Sequence, residues 1–202
     1  MIIKSEEKIK EFERDMIEKF EEFGAILEGH FKLTSGVHSD VYIQCAQVMQ
    51  HPEFMHNICN ELGKKFRGDD VDVIVGPAVG AIIMSHVMAQ VLGPWVRAIF
   101  TERENGKMVL RRSFEIKHGE NVLVVEDVTT TGSSAMEVIN IARSRGGKIV
   151  GVGTLIDRSN GGIDFGVKMR SLLTLNMKIY QPEDCPLCKR GIPVVKPGSR
   201  NL

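Results

Sequence analysis

Apolar residues recur along the chain with two alternating periods. From residue 5 to 23 they fall at Ile9, Phe12, Met16, Phe20 and Phe23, which predicts a helix ended by Gly24. Phe31 and Leu33, then Val41 and Ile43, alternate with polar neighbours on either side of Gly36. That pattern predicts a hairpin ahead of the main sheet, in the place of a lid or hood. Helical spacing returns over 52–66 with Phe54, Ile58, Leu62 and Phe66. Strands are then predicted at Val71–Val75, Trp95–Phe100, Val122–Val125, 146–157 and Ser171–Leu175, with helices over Ile82–Leu92 and after Ser134. Strands alternating with helices predict an α/β fold, a mainly parallel central sheet flanked by helices with right-handed crossovers.

Two strand ends carry chemistry. Val122–Val125 is an unbroken apolar run, suited to a strand buried on both faces, and Glu126 and Asp127 close it. Thr129, Thr130, Thr131, Gly132, Ser133 and Ser134 follow, before a helix with Met136, Ile139 and Ile141. Ligands of open α/β sheets sit at the carboxyl ends of the strands, where a helix start offers free N–H groups to an anion. A solvated strand end plus a helix cap would account for the two acids. It leaves unexplained the run of small and hydroxylic residues behind them. The loop lacks the Gly-Lys-Ser/Thr of a Walker A sequence and the Gly-x-Gly-x-x-Gly of a dinucleotide site. The turn Gly76-Pro-Ala-Val-Gly-Ala81 is either a second anion cradle or a plain strand–helix connection.

Residues 101–120 have no period and carry Arg103, Lys107, Arg111, Arg112 and Lys117. They suit a solvated hairpin or a mobile cationic lid for a polyphosphate.

The chain has 202 residues, enough for one domain with a small flap. Its 26 basic and 26 acidic residues cancel, which argues against a nucleic-acid or membrane surface of one sign. No secretory leader or membrane-spanning run is read, so a cytoplasmic protein is expected. Of the four cysteines, Cys185 and Cys188 form Cys-Pro-Leu-Cys, half of a zinc site with no matching second pair. Pro186, Pro193 and Pro197 favour irregular structure there, and two reduced thiols in a C-terminal loop are expected.

Four apolar residues, two acids and a Thr/Gly/Ser loop resemble the phosphoribosyl-pyrophosphate (PRPP) motif of the type I phosphoribosyltransferases. Further stretches are similar to the orotate-specific members of that family: Phe31-Lys-Leu-Thr-Ser-Gly36 with Ser39 and Tyr42-Ile43, the 76–81 turn, Glu102–Lys107 with Leu110–Arg112, and Leu155-Ile-Asp-Arg158. Thr34 stands where many members have lysine, and Lys32 could substitute; Gly80 stands where some have a turn lysine. The resemblance implies one phosphoribosyltransferase domain over 1–202, with about 1–50 and the C-terminal tail as a hood. It implies transfer of phosphoribose from PRPP to orotate in pyrimidine synthesis. Lys107, Asp127 and Glu126 would be catalytic. Arg103, Lys107, Glu126, Asp127, Val128, Thr129, Thr130, Thr131, Gly132, Ser133 and Ser134 would bind PRPP. Thr130 and Arg158 would bind orotate. Lys107 ranks above His118 as the loop cation. No metal-ligating cage is implied: Mg²⁺, the expected cofactor, would be held mostly by substrate oxygens and water. The expected assembly is a homodimer with a shared active site. A transferase for a purine base, and a regulator binding PRPP or nucleic acid without turnover, are the competing readings. Arg158 and the 31–36 stretch speak against the first, and the balanced charge against nucleic acid.

Overall fold

The structure, a computed structural model, describes residues 2–33, 36–159 and 161–197. Thr34 and Ser35 of the hairpin stretch, and the Ile9 side chain, lie outside what is described. In chain order the elements are α1 (Ile2–Glu22), β1 (Ile26–Lys32), β2 (His38–Ile43), α2 (Ala46–Met49), α3 (Pro52–Lys64), β3 (Val73–Pro77) and α4 (Ala81–Leu92). There follow β4 (Arg97–Glu104), β5 (Lys107–Leu110), β6 (Asn121–Thr129), α5 (Ser133–Ser144), β7 (Lys148–Asp157), β8 (Met169–Thr174), β9 (Ile179–Tyr180) and α6 (Pro186–Lys189). No helix among the described residues is long and apolar enough to cross a membrane.

The chain divides into two compact units, 1–48 with 176–202, and 49–175. The larger holds a six-stranded sheet in the order β5-β4-β3-β6-β7-β8. Strands β3, β4, β6, β7 and β8 are parallel, and β5 is an antiparallel edge strand. Chain order reverses between β3 and β6, so the crevice at their carboxyl ends is the switch point where such sheets bind ligands. Val122, Leu123, Val124 and Val125 are wholly buried, each burial stabilising by roughly 1.5–3 kcal/mol. Val73, Val75, Val122 and Val124 pack with Ala135, Val138, Ile139 and Ala142 of α5. On the opposite face α3 and α4 cover the sheet.

One expected strand starts later than expected, β3 at Val73 and not at Val71, one expected strand residue is lost, and of the two readings of 101–120 the hairpin is found. Trp95 is not in a strand: it is 91% exposed, and β4 begins at Arg97. The charged 101–120 excursion starts as a β4–β5 hairpin, closed by Asn105 (φ 50°) and Gly106 (φ 80°). Positive φ at both central residues is the turn geometry that matches strand twist, and Asn-Gly adopts it most readily.

The smaller unit contains α1, on which Met16 and Phe20 are buried, and the antiparallel sheet β1-β2-β9. Its tail returns along β1: Val195 N–H donates to the His30 carbonyl and Lys32 N–H to the Val195 carbonyl, both at 2.8 Å. Cys-Pro-Leu-Cys is not irregular. Pro186 sits at the start of α6, where a missing N–H costs nothing, and Cys185 and Leu187 are buried.

Candidate active site

Strand β6 runs past its apolar stretch, through Glu126 and Asp127 to Thr129, because parallel β7 continues beside it; Thr129 lies opposite Asp157. The turn is therefore only Thr130 to Gly132, with Ser133 and Ser134 already in α5. Gly132 has φ 72°, and a Cβ there would stand 2.8 Å from the Phe165 ring, so this position admits glycine alone. Thr130, Thr131 and Ser133 are exposed and Ser134 is half-buried. Thr129 differs: its side chain is buried at the strand end, and among the described residues its Oγ1 has no hydrogen-bond partner.

The two acids are half-buried. Asp127 Oδ1 accepts the Val128 N–H at 2.9 Å. Across the crevice, Gly80 of the 76–81 turn lies against the Asp127 carboxylate, where an added Cβ would be 2.7 Å from Oδ2. The absence of a side chain at Gly80 thus lets the two strand-end loops meet at the switch point. Burial raises the pKa of Asp127. Glu126 is pushed up from 4.5 to about 8, by burial first and by the Asp127 charge second. Hydrogen bonds from Ser134 and from the Ala135 N–H, and the Arg103 charge, oppose that rise.

The cations divide clearly. Arg103 pairs with Glu137 of α5 at 2.7 Å and donates to the Gly106 carbonyl at 2.9 Å. Arg111 pairs with Glu104 at 2.9 Å, and Arg112 grips Glu102 with two hydrogen bonds of 2.8 and 2.9 Å. Lys107, exposed at the hairpin tip, has no ion pair among the described residues. His118 lies at the other end of the sheet, where the neighbouring Gly119 N–H donates to Gly146 ahead of β7. Arg158 follows β7 directly, and its N–H donates to the Thr129 carbonyl at 2.8 Å, so it emerges beside the hydroxyl loop as expected. Asp157 Oδ1 takes the N–H and hydroxyl of Ser159 at 2.7 and 2.6 Å, which fixes the turn after Arg158.

Comparison with known proteins decides the family. The phosphoribosyl transferase domain matches residues 45–169. The chain is 54% identical to the orotate phosphoribosyltransferase of Desulforamulus reducens over 188 residues, covering 93% of this chain and 97% of that protein. The chain belongs to the orotate phosphoribosyltransferases. The Thermotoga maritima orotate phosphoribosyltransferase is 52% identical over 185 residues, 92% of this chain and 98% of that one. Among solved structures, the orotate phosphoribosyltransferase of Mycobacterium tuberculosis in complex with inorganic phosphate superposes with a TM-score of 0.65 at 25% identity, covering 81% of this chain and 96% of that one. A phosphoribosyltransferase from Corynebacterium diphtheriae gives 0.68 at 26% identity, with the same coverage of 81% and 96%.

Three features of this orotate phosphoribosyltransferase site were not read from the sequence: the Gly80–Asp127 contact, the Glu137 partner of Arg103, and the Glu126 contact with the first turn of α5. Each joins residues distant in the chain or reverses the usual role of a side chain. Only the Ser134 hydroxyl, already named for phosphate, hinted at the third.

The raised Glu126 pKa has a testable sign. The folded chain holds a proton that the unfolded chain releases near pH 4.5. The stability it contributes is complete below that pH and is lost as pH rises through about 8. The melting temperature of the unliganded enzyme should therefore fall between about pH 5 and about pH 9, less steeply in Glu126→Gln. Identical slopes in the two proteins would show that Glu126 is ionised throughout.

Proposed function

We infer that this chain transfers the 5-phosphoribosyl group of PRPP to orotate, giving orotidine 5′-monophosphate and pyrophosphate in pyrimidine synthesis. One observation carries the reading: a hydroxyl-lined helix start, two half-buried carboxylates and an arginine come together at the switch point, with Gly80 against Asp127 and Arg158 N–H on Thr129. Thr130, Thr131, Gly132, Ser133 and Ser134, with Val128 and Thr129 shaping the loop from below, receive the 5-phosphate on N–H and hydroxyl donors. Glu126 and Asp127 bind the ribose hydroxyls and set negative charge beside the anomeric carbon as it becomes oxocarbenium-like. The anomeric C–O bond breaks with its electron pair leaving on pyrophosphate, while an orotate ring nitrogen supplies the pair for the new C–N bond. Lys107, together with Arg103 once it exchanges Glu137 for substrate, neutralises the departing polyanion.

The donor set fits Mg²⁺. The site offers carboxylates and hydroxyls, hard oxygen donors, and two adjacent acids whose pKa values burial raises and a bound cation would lower. Glu126 and Asp127 would hold the ion through water and substrate oxygens, and when bound it supplies charge neutralisation at the pyrophosphate oxygens. On the same reading, the 1–48 and 176–202 unit serves as the hood, the enzyme is a cytoplasmic homodimer with a shared active site, and its partners are PRPP and orotate, without nucleic acid or membrane.

Base recognition tests the reading. Orotate differs from uracil by one carboxylate, and the Arg158 guanidinium can donate two parallel hydrogen bonds to it, with Thr130 beside it. Arg158→Ala should weaken orotate by roughly 2–3 kcal/mol, a rise of about 30- to 150-fold in its KM, and leave the KM for PRPP nearly unchanged. An equal rise for both substrates would place Arg158 in the scaffold instead.

A further inference from the structure

We propose that the smaller unit carries a structural zinc site formed by His30, His38, Cys185 and Cys188. The ligands come from β1, β2 and both ends of the α6 turn, so residues more than 140 positions apart converge. Their donor atoms all lie within 4.8 Å of one another. His30 Nε2 is 2.9 Å from His38 Nδ1, 3.5 Å from Cys185 Sγ and 3.6 Å from Cys188 Sγ, and Cys188 Sγ is 3.3 Å from His38 Nδ1. A tetrahedral zinc with bonds of about 2.0 Å to nitrogen and about 2.3 Å to sulfur requires donor–donor edges of roughly 3.3–3.8 Å. These four pairs lie within about half an ångström of such edges, and the widest separation in the cluster, 4.8 Å, has to close by about 1 Å to bind the ion.

Hydrogen bonding within the cluster points the same way. His30 Nδ1 lies 2.7 Å from the Ile192 carbonyl, which can only accept, so that nitrogen carries the proton. Nε2 is then a bare lone pair facing inward, and it has room for one hydrogen bond. Three potential donors, His38 Nδ1 and the two thiols, crowd that single acceptor. Cys188 Sγ also stands 3.3 Å from His38 Nδ1, so four potential ligand atoms, three of them on the buried His30, His38 and Cys185, turn to one point. A metal-bound histidine whose other ring N–H donates to a backbone carbonyl is the usual supporting arrangement. Two imidazoles and two thiolates suit zinc, and four protein ligands leave no open position for catalysis. On binding, two thiol protons leave and the Zn²⁺ charge is balanced by two thiolates. The ion would fasten the C-terminal tail to the β1–β2 hairpin, adding to the Val195 pairing with His30 and Lys32.

The test uses the full chain, free of any metal-binding tag and kept reduced. Elemental analysis after growth with zinc should give one zinc per chain. The stripped protein, titrated with Co²⁺, should develop the intense visible bands of a tetrahedral site and a thiolate charge-transfer band, both erased by one equivalent of Zn²⁺. Cys188→Ser alters the one exposed ligand and should weaken Co²⁺ binding at least about 100-fold, more than loss of a supporting contact costs. Metal removal should also lower the melting temperature of the wild type. Wild-type protein that melts cooperatively, has four titratable thiols and yet takes up neither metal at micromolar concentration would overturn the proposal. So would a six-coordinate cobalt spectrum without charge transfer. Both results rest on wild-type protein, so they stand even where Cys188→Ser fails to fold.

Discussion

Asp127→Asn is expected to lower kcat by about 100-fold, the scale for losing one fixed electrostatic group at a transition state. The substitution keeps the shape of the side chain and an oxygen able to accept the Val128 N–H, so the contact with Gly80 and the turn into α5 are preserved. What it removes is charge, at the point where the ribose becomes positive. The charge matters more here than on an open surface, because burial already raises the pKa of Asp127 and leaves little water to compensate. The melting temperature should stay the same or rise, since an amide needs no desolvation of an anion. Near-normal turnover in a folded mutant would remove Asp127 from the chemistry.

Lys107→Ala is the second large effect, a loss of about 100- to 1,000-fold in kcat with the fold intact. The three arginines of the hairpin region are committed to Glu137, Glu104 and Glu102, whereas Lys107 stands exposed at the tip with no ion pair among the described residues. Exposure makes the substitution cheap for stability and leaves the ammonium available to a leaving polyphosphate. A shared site makes a sharper prediction. Lys107→Ala mixed with Asp127→Asn should regain activity that neither has alone, because one site of each hybrid dimer combines an intact hairpin with an intact acid pair. No recovery after demonstrated subunit exchange would confine each site to one chain.

Much of this site is written locally. Val122–Val125 and the acids after it reveal a buried strand and its polar carboxyl end, because burial on both faces demands an unbroken apolar run. Arg158 was locatable for the same reason, as the first residue beyond β7. Features that depend on neighbours were not. The continuation of β6 to Thr129 follows its pairing with β7, and Glu126 and Asp127, both poor strand formers, hide it by ending the apolar run. Trp95 was misread because an aromatic next to Val suggests a strand, whereas the following Arg97 is the first residue that pairs with β3. The hairpin that ends at Leu110 was one of two readings of the charged 101–120 stretch, but its strand pairing from Thr101 to Leu110 could not be placed from a stretch without a period. The His/Cys cluster escaped because a zinc site was sought as two cysteine pairs. Its second pair is two histidines whose side chains meet only when β1 and β2 zip together.

The central claim, phosphoribosyl transfer from PRPP to orotate, is tested most directly by pyrophosphate release from PRPP and Mg²⁺ with a panel of bases. Orotate should give robust turnover, with uracil, adenine and hypoxanthine close to the blank. Turnover of a purine or uracil with orotate inert would contradict the base assignment and leave the PRPP chemistry standing, and no pyrophosphate with any base would contradict both.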